Sequence, residues 1–201
     1  SGTNGFANLT MNGAGITLTA AASVSGTLTL TNGKITTGTN TLTLGSAATT
    51  TGASTASYVI GNLKKTVVPN GNFTFPVGTT SGYTPLDLTN ASGGGDLTVT
   101  AKTPQQPLLA AGTSLQEYWT LTKGGTLTAD LTFNYLQSDV AGSEANYRII
   151  RVESGTAVSY PNACPSGNFC VDTSTNRATI KGVSSFSDWT IAEPAAPTAV
   201  K

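Results

Sequence analysis

This 201-residue chain contains no histidine, so its ten carboxylates and its one pair of cysteines are the first side chains to consider for chemistry near neutral pH. A glycoside hydrolase would need two carboxylates at a fixed separation around the scissile bond. Asp87, Asp96, Glu117, Asp130, Asp139, Glu144, Glu153, Asp172, Asp188 and Glu193 are instead scattered over separate strands and loops, and nothing in the sequence groups them. A serine nucleophile would need a base and a Gly-x-Ser-x-Gly elbow, and the chain has neither a histidine nor the elbow. Zinc chemistry is excluded by the same shortage of ligands. The chain therefore reads as a protein that is not an enzyme and carries no cofactor. The lesser alternative is a calcium ion in the loop Gln137–Glu144, where Asp139 and Glu144 offer hard oxygen donors without EF-hand spacing.

The cysteines stand as Cys164-Pro-Ser-Gly-Asn-Phe-Cys170, a short loop with turn-forming Pro165 and Gly167 inside it. This spacing predicts a local disulfide stapling a hairpin end, and hence an oxidising compartment. Tyr118, Trp119 and Trp189 could stack on sugars. The alternation in Leu115-Gln-Glu-Tyr-Trp119-Thr-Leu121 favours Trp119 as a core residue, and Trp189, Phe133 and Tyr135 read as core aromatics by the same logic. Ten basic against ten acidic residues leave no charge footprint for nucleic acid. No apolar run approaches a membrane span. The triplets at Asn8, Asn72 and Asn90 fit glycosylation acceptors, but so much Asn, Ser and Thr supplies them by chance.

The elements that must position these groups follow from composition. The chain holds 37 Thr, 23 Ala, 23 Gly and 18 Ser, half of all residues, and these types except Ala disfavour helix interiors. Thr is β-branched and suits a pleated surface, so the expected fold is all-β. Over residues 1–57 the text alternates strictly at Ile16-Thr-Leu18-Thr, Thr27-Leu-Thr-Leu30 and Thr41-Leu-Thr-Leu44, punctuated by Asn12-Gly13, Asn32-Gly33 and Gly38. These beats predict either β-hairpins or coils of a β-solenoid-like stack. Asn-Gly is a strong hairpin signal, and the intervals of 12 and 14 residues are irregular, which favours hairpins. Residues 58–193 hold 13 of the 14 aromatics and many short alternating runs, which predicts a β-sandwich of Ig-like or jelly-roll-like type. Residues 194–201 form a Pro/Ala-rich tail.

The second region has a cadence: Asn70-Gly-Asn-Phe-Thr-Phe-Pro-Val-Gly78, Tyr83-Thr-Pro-Leu-Asp-Leu88, Glu117-Tyr-Trp119-Thr-Leu and Phe186-Ser-Asp-Trp189-Thr-Ile. It resembles the β-sandwich modules of large secreted bacterial surface and adhesin-type proteins, which often follow a Thr/Gly-rich β-helix-like stretch. The resemblance implies an architectural part and brings no catalytic residues with it. The expected function is that of an extracellular, cell-surface structural protein, secreted after removal of a signal peptide. It would be a subunit of a pilus-like filament or matrix fibre that forms a head-to-tail homopolymer. Residues 8–19 are alternating, uncharged and free of Pro, so they could act as a donor strand anchored by Leu9, Met11, Ile16 and Leu18. The alternative is an adhesive module that binds glycans.

Overall fold

The computed structural model describes residues 4–194, so the tail expected over 194–201 lies outside them apart from Pro194. The described chain is all-β, with two 3-10 turns, Gln137–Asp139 and Glu144–Asn146, as its only helical segments.

The first third of the chain winds. Strands β1 (Asn4–Phe6), β2 (Leu9–Asn12) and β3 (Ile16–Thr17) make a first coil, followed by β4 (Ala22–Val24), β5 (Thr27–Asn32) and β6 (Ile35–Leu44). Then come β7 (Thr49–Thr51) and β8 (Val59–Val67). Every pairing among them is parallel: β1 with β4, β4 and β3 with β6, β6 with β8, β2 with β5, and β5 with β7. Ile16, Ile35, Val59 and Val77 stand in register, so successive coils take 19, 24 and 18 residues. The solenoid-like arrangement thus replaces the hairpins that the Asn-Gly signals favoured.

The physical reason is that Thr/Leu alternation decides which side of a strand is buried and is the same for both strand directions. Leu28, Leu30, Leu42 and Leu44 are all fully buried, as that pattern requires. The Asn-Gly pairs are corners stacked on one another: Gly13 N–H donates to Asn32 O at 3.0 Å, and Asn32 Nδ2 donates back to Gly13 O at 3.3 Å. A second amide ladder runs up another corner, with Asn40 Nδ2 donating to Leu18 O at 2.8 Å and Asn62 Nδ2 to Asn40 O at 2.9 Å. These amides satisfy carbonyls that a coil corner would otherwise leave unpaired.

Gly33 sits at such a corner with φ of +83°, and a Cβ there would run into Gly13 O, Gly15 N at 2.7 Å and Met11 Cε at 2.9 Å. Gly33→Ala is therefore expected to combine left-handed strain with a backbone clash, at a cost of about 2 kcal/mol or more. Limited proteolysis should show cleavage in residues 10–40 appearing at lower temperature than in the parent chain, and an unchanged cleavage profile would contradict this.

From residue 73 the strands are β9 (Phe73–Phe75), β10 (Val77–Gly78), β11 (Leu86–Ser92), β12 (Gly95–Lys102), β13 (Tyr118–Lys123) and β14 (Thr128–Asn134). They continue as β15 (Arg148–Glu153), β16 (Thr156–Tyr160), β17 (Phe169–Asp172), β18 (Arg177–Val183) and β19 (Asp188–Ala192). Strand β8 joins the two regions: one edge continues the coil in parallel with β6, and the other pairs antiparallel with β12. An eleven-stranded sheet therefore runs from β1 through β4, β6, β8, β12, β13, β19 and β15 to β16, with β3 and β10 alongside. A five-stranded sheet of β17, β18, β14, β11 and β9 packs against it, and β2, β5 and β7 form a third sheet closing the coil. Strand β17 includes Cys170 and so begins inside the Cys164–Cys170 loop.

An aromatic seam fills the space between the two large sheets. Trp119 of β13 and Trp189 of β19 are in direct register and both contact Phe133 of β14, with ring centroids at 5.1 and 6.0 Å. Tyr160 of β16 stacks on Phe169 of β17 at 4.7 Å.

Candidate functional site

The acidic residues expected to be scattered have largely structural partners. Asp87 accepts from Arg177 at 3.2 Å, Asp96 from Lys64 at 3.0 Å and Thr66 at 2.7 Å, and Asp130 from Asn90 at 2.8 Å and the Gly182 N–H at 2.7 Å. Asp172 accepts from Ser174 and Thr175, Asp188 from Thr120, Glu153 from Ser185 and Arg151, and Glu193 from the Ser143 N–H.

Glu117 and Asp139 behave differently. Glu117 is fully buried, Asp139 nearly so, and Glu117 Oε1 and Asp139 Oδ2 have no hydrogen-bond partner among the described residues. Glu117 Oε2 accepts only a long contact of 3.5 Å from Thr79 Oγ1. The buried Thr84 hydroxyl faces Glu117 close enough to favour its charged form but without hydrogen-bond geometry. Burial pushes the Glu117 carboxyl up to about 8; the Thr84 hydroxyl pulls the other way, the nearby Asp139 adds to the rise, and the Thr79 hydroxyl again opposes it. Burial likewise raises Asp139. A carboxylic acid held neutral at pH 7 in an apolar site is the kind of group that general acids use. Here, however, the surface depressions of about 160 to 390 Å³ are lined by other residues. Glu117 lies under packed structure. Tyr58 donates to Thr79 O at 2.8 Å, Thr190 donates to Glu117 O at 2.8 Å, and Gln116 N–H donates to Asp139 O at 2.7 Å.

Sequence reasoning passed over Glu117 although the signal was present. The alternation that turns Leu115, Trp119 and Leu121 inward turns Glu117 inward with them. The loop considered for calcium is divided: Asp139 points into the core, and Glu144 accepts from Tyr135 Oη at 2.8 Å and Gln137 Nε2 at 3.2 Å. No cluster of three or more His, Cys, Asp or Glu side chains suited to a metal ion occurs among the described residues.

The remaining singled-out residues fall as follows. Trp119 and Trp189 are 0% and 1% exposed, and Phe133 and Tyr135 are buried beside them. Trp119 Nε1 donates to Thr84 O at 3.1 Å. Cys164 and Cys170 form a disulfide that closes the six-residue step into β17. Leu9, Met11, Ile16 and Leu18 belong to the first coil. Met11 is 6% exposed and packs in the coil's own core, Leu9 and Leu18 are half-buried against it, and Ile16 is 43% exposed. Strands β2 and β3 thus pair within their own chain, and a Met11→Asp change would place a charge inside its own coil.

A depression of about 390 Å³ lies between the third sheet and β8–β9, with Lys65 and Phe73 in its wall. Lys65 Nζ already donates to Gly45 O and Ser46 O at 2.5 and 2.8 Å and lies over the Phe73 ring, so its charge is committed within the fold. No helix among the described residues is long and apolar enough to cross a membrane.

The conspicuous surface features are therefore the two ends of the long sheet. Strand β1 is exposed at all three residues and among the described residues pairs with β4 alone. Strand β16 is exposed at four of its five residues and among the described residues pairs with β15 alone. Compared with protein-family models, with curated proteins and with solved structures, the chain has no match in any of the three.

Proposed function

We propose that this chain is a non-enzymatic structural subunit of an extracellular assembly, a bacterial surface filament or matrix fibre held together by β-strand contacts between copies. The observation that carries the proposal is strand β16 at one end of the long sheet, which is exposed at four of its five residues and pairs among the described residues with β15 alone. Natural sheet edges are blunted by charge, Pro, bulges or covering loops. Strand β16 contains no charged residue and no Pro.

The disulfide supports an oxidising compartment. We read the two sheets joined by the aromatic seam as a β-sandwich module of the adhesin type, with the coil as an extension of one sheet. Glycan binding through Trp119 or Trp189 is not part of the proposal, because both rings are in the core.

Sedimentation velocity over a concentration series, followed by electron microscopy of the same samples, tests this reading. Growth of regular oligomers or fibres with concentration is the expected result. A single monomeric species throughout the soluble range would overturn it.

A further inference from the structure

The geometry points to a carboxylate-binding site in the depression of about 160 Å³ where β15, β16 and β19 of the long sheet face β17 and β18, walled by Arg151, Tyr160, Phe169, Lys181, Ser185 and Trp189. Arg151 of β15 stands in register with Trp189 of β19 on one side and Val158 of β16 on the other, so it shares the face that Trp189 turns toward the five-stranded sheet. An arginine on such a face needs an explanation, because charged side chains are seldom buried without partners. Its guanidinium carbon lies 6.0 Å from the centre of the Trp189 ring, and its side chain is 22% exposed. One of its five N–H donors reaches Glu153 at a long 3.4 Å, and Nε has no acceptor among the described residues. Trp189 is 1% exposed, and its Nε1–H also has no acceptor there.

Both orphaned groups are donors only, so nothing but an acceptor satisfies them, and burying them unpaired is costly. No acidic side chain lines the depression, while Lys181 at its rim is exposed and has no ion pair among the described residues. The lining thus offers two positive charges and unused N–H donors to one entering group. Tyr160 stacks on Trp189 and Phe169 at 5.9 and 4.7 Å, so the ring faces are already covered and recognition runs through N–H groups. A carboxylate matches this lining: it is planar, it has two acceptor oxygens that an arginine pairs bidentately, and the aromatic wall strengthens the pairing by lowering the local dielectric. The volume admits a carboxylate on a short carbon chain and is smaller than the clefts that hold drug-sized ligands. The group comes from a small organic acid or from an Asp or Glu side chain of a neighbouring copy. The site is complete within one chain and does not depend on assembly.

The two tryptophans give two indole N–H resonances in a nitrogen-15 labelled sample, which makes the site directly readable. At constant ionic strength, exchanging sodium chloride for sodium acetate should shift the Trp189 resonance, identified by its loss in Trp189→Phe, along a saturating curve. The Trp119 resonance should stay in place, because that N–H already donates to Thr84 O. Arg151→Gln should raise the half-saturating acetate concentration by about tenfold or more, and Lys181→Gln, at an exposed position, by about threefold. A shift that does not saturate, an equal shift of both indoles, or an unaltered curve in both variants overturns the site. Sedimentation of the same samples identifies the source of the carboxylate. Oligomers that dissociate with acetate and fail to form in Arg151→Gln assign it to a side chain of a neighbouring copy, and an oligomeric state indifferent to both assigns it to a small free acid. Because the titration is read on a single chain, absence of assembly overturns the proposed function and leaves this site standing.

Discussion

Thermal unfolding is expected to move down by on the order of 10 °C as the pH is raised from about 5 to about 8.5, and Glu117 is the reason. Its carboxyl titrates at about 8 in the folded chain against an ordinary value of 4.5. Between those two values the folded state holds a proton that the unfolded state has released, so stability falls as pH rises. The contribution is fully present below the unfolded value and is lost as pH climbs through the folded one. The full window corresponds to on the order of 5 kcal/mol. Asp139, also raised by burial, acts with the same sign. Asp96, held down by its hydrogen bonds from Thr66 and Lys64, acts in the opposite direction, and only as the pH falls into the acid range. Glu117→Gln keeps the shape, removes the charge and should flatten the profile, with near parity to the parent at about pH 5 and a clear gain at about pH 8.5. A variant that keeps the parent's slope would show that another group carries it.

Trp119→Ala should be the most damaging single substitution, at about 4 kcal/mol or more. The ring is wholly buried, meets Phe133 at 5.1 Å and fills the seam between the two large sheets. Its loss leaves a cavity and also strands the Thr84 carbonyl, which accepts its Nε1–H at 3.1 Å. Trp119→Phe keeps most of the volume but not the donor, and should fall between the two. Chemical denaturation of these variants beside Phe6→Ala, an exposed control within about 0.5 kcal/mol of the parent, gives the comparison. A Trp119→Ala cost as small as the control's would mean that the seam does not hold the sheets together.

Much of the architecture could be read in the text. Thr, Ser and Gly made helix unfavourable, and the described chain is all-β. The seven-residue cysteine loop lies on one short segment, where spacing alone predicts the bond that forms. Strand direction was not legible, because Ile16, Leu28 and Leu42 look like successive hairpin strands yet lie in β3, β5 and β6, where β3 and β6 pair in parallel and β5 belongs to another sheet. The parallel register appears only when positions 18 to 24 residues apart are aligned, as in Asn4 with Ala22 and Ile35 with Val59. Glu117 was legible in principle, since its parity matches Trp119, but a carboxylate in an otherwise apolar series is easily assigned to solvent.

What the sequence determined by itself is local: which residues face inward along each strand, where the backbone must turn, and that two nearby cysteines can bond. These depend on side-chain period and short loops, which act within a few residues. The tertiary structure alone decided that the coil and the second region share β8, that Met11 packs in its own coil, that Glu117 and Asp139 are buried near each other, and that β16 ends the long sheet among the described residues. Each of those depends on contacts between residues far apart in the chain, and a period of two places a side chain on a face without saying which distant strand will cover it.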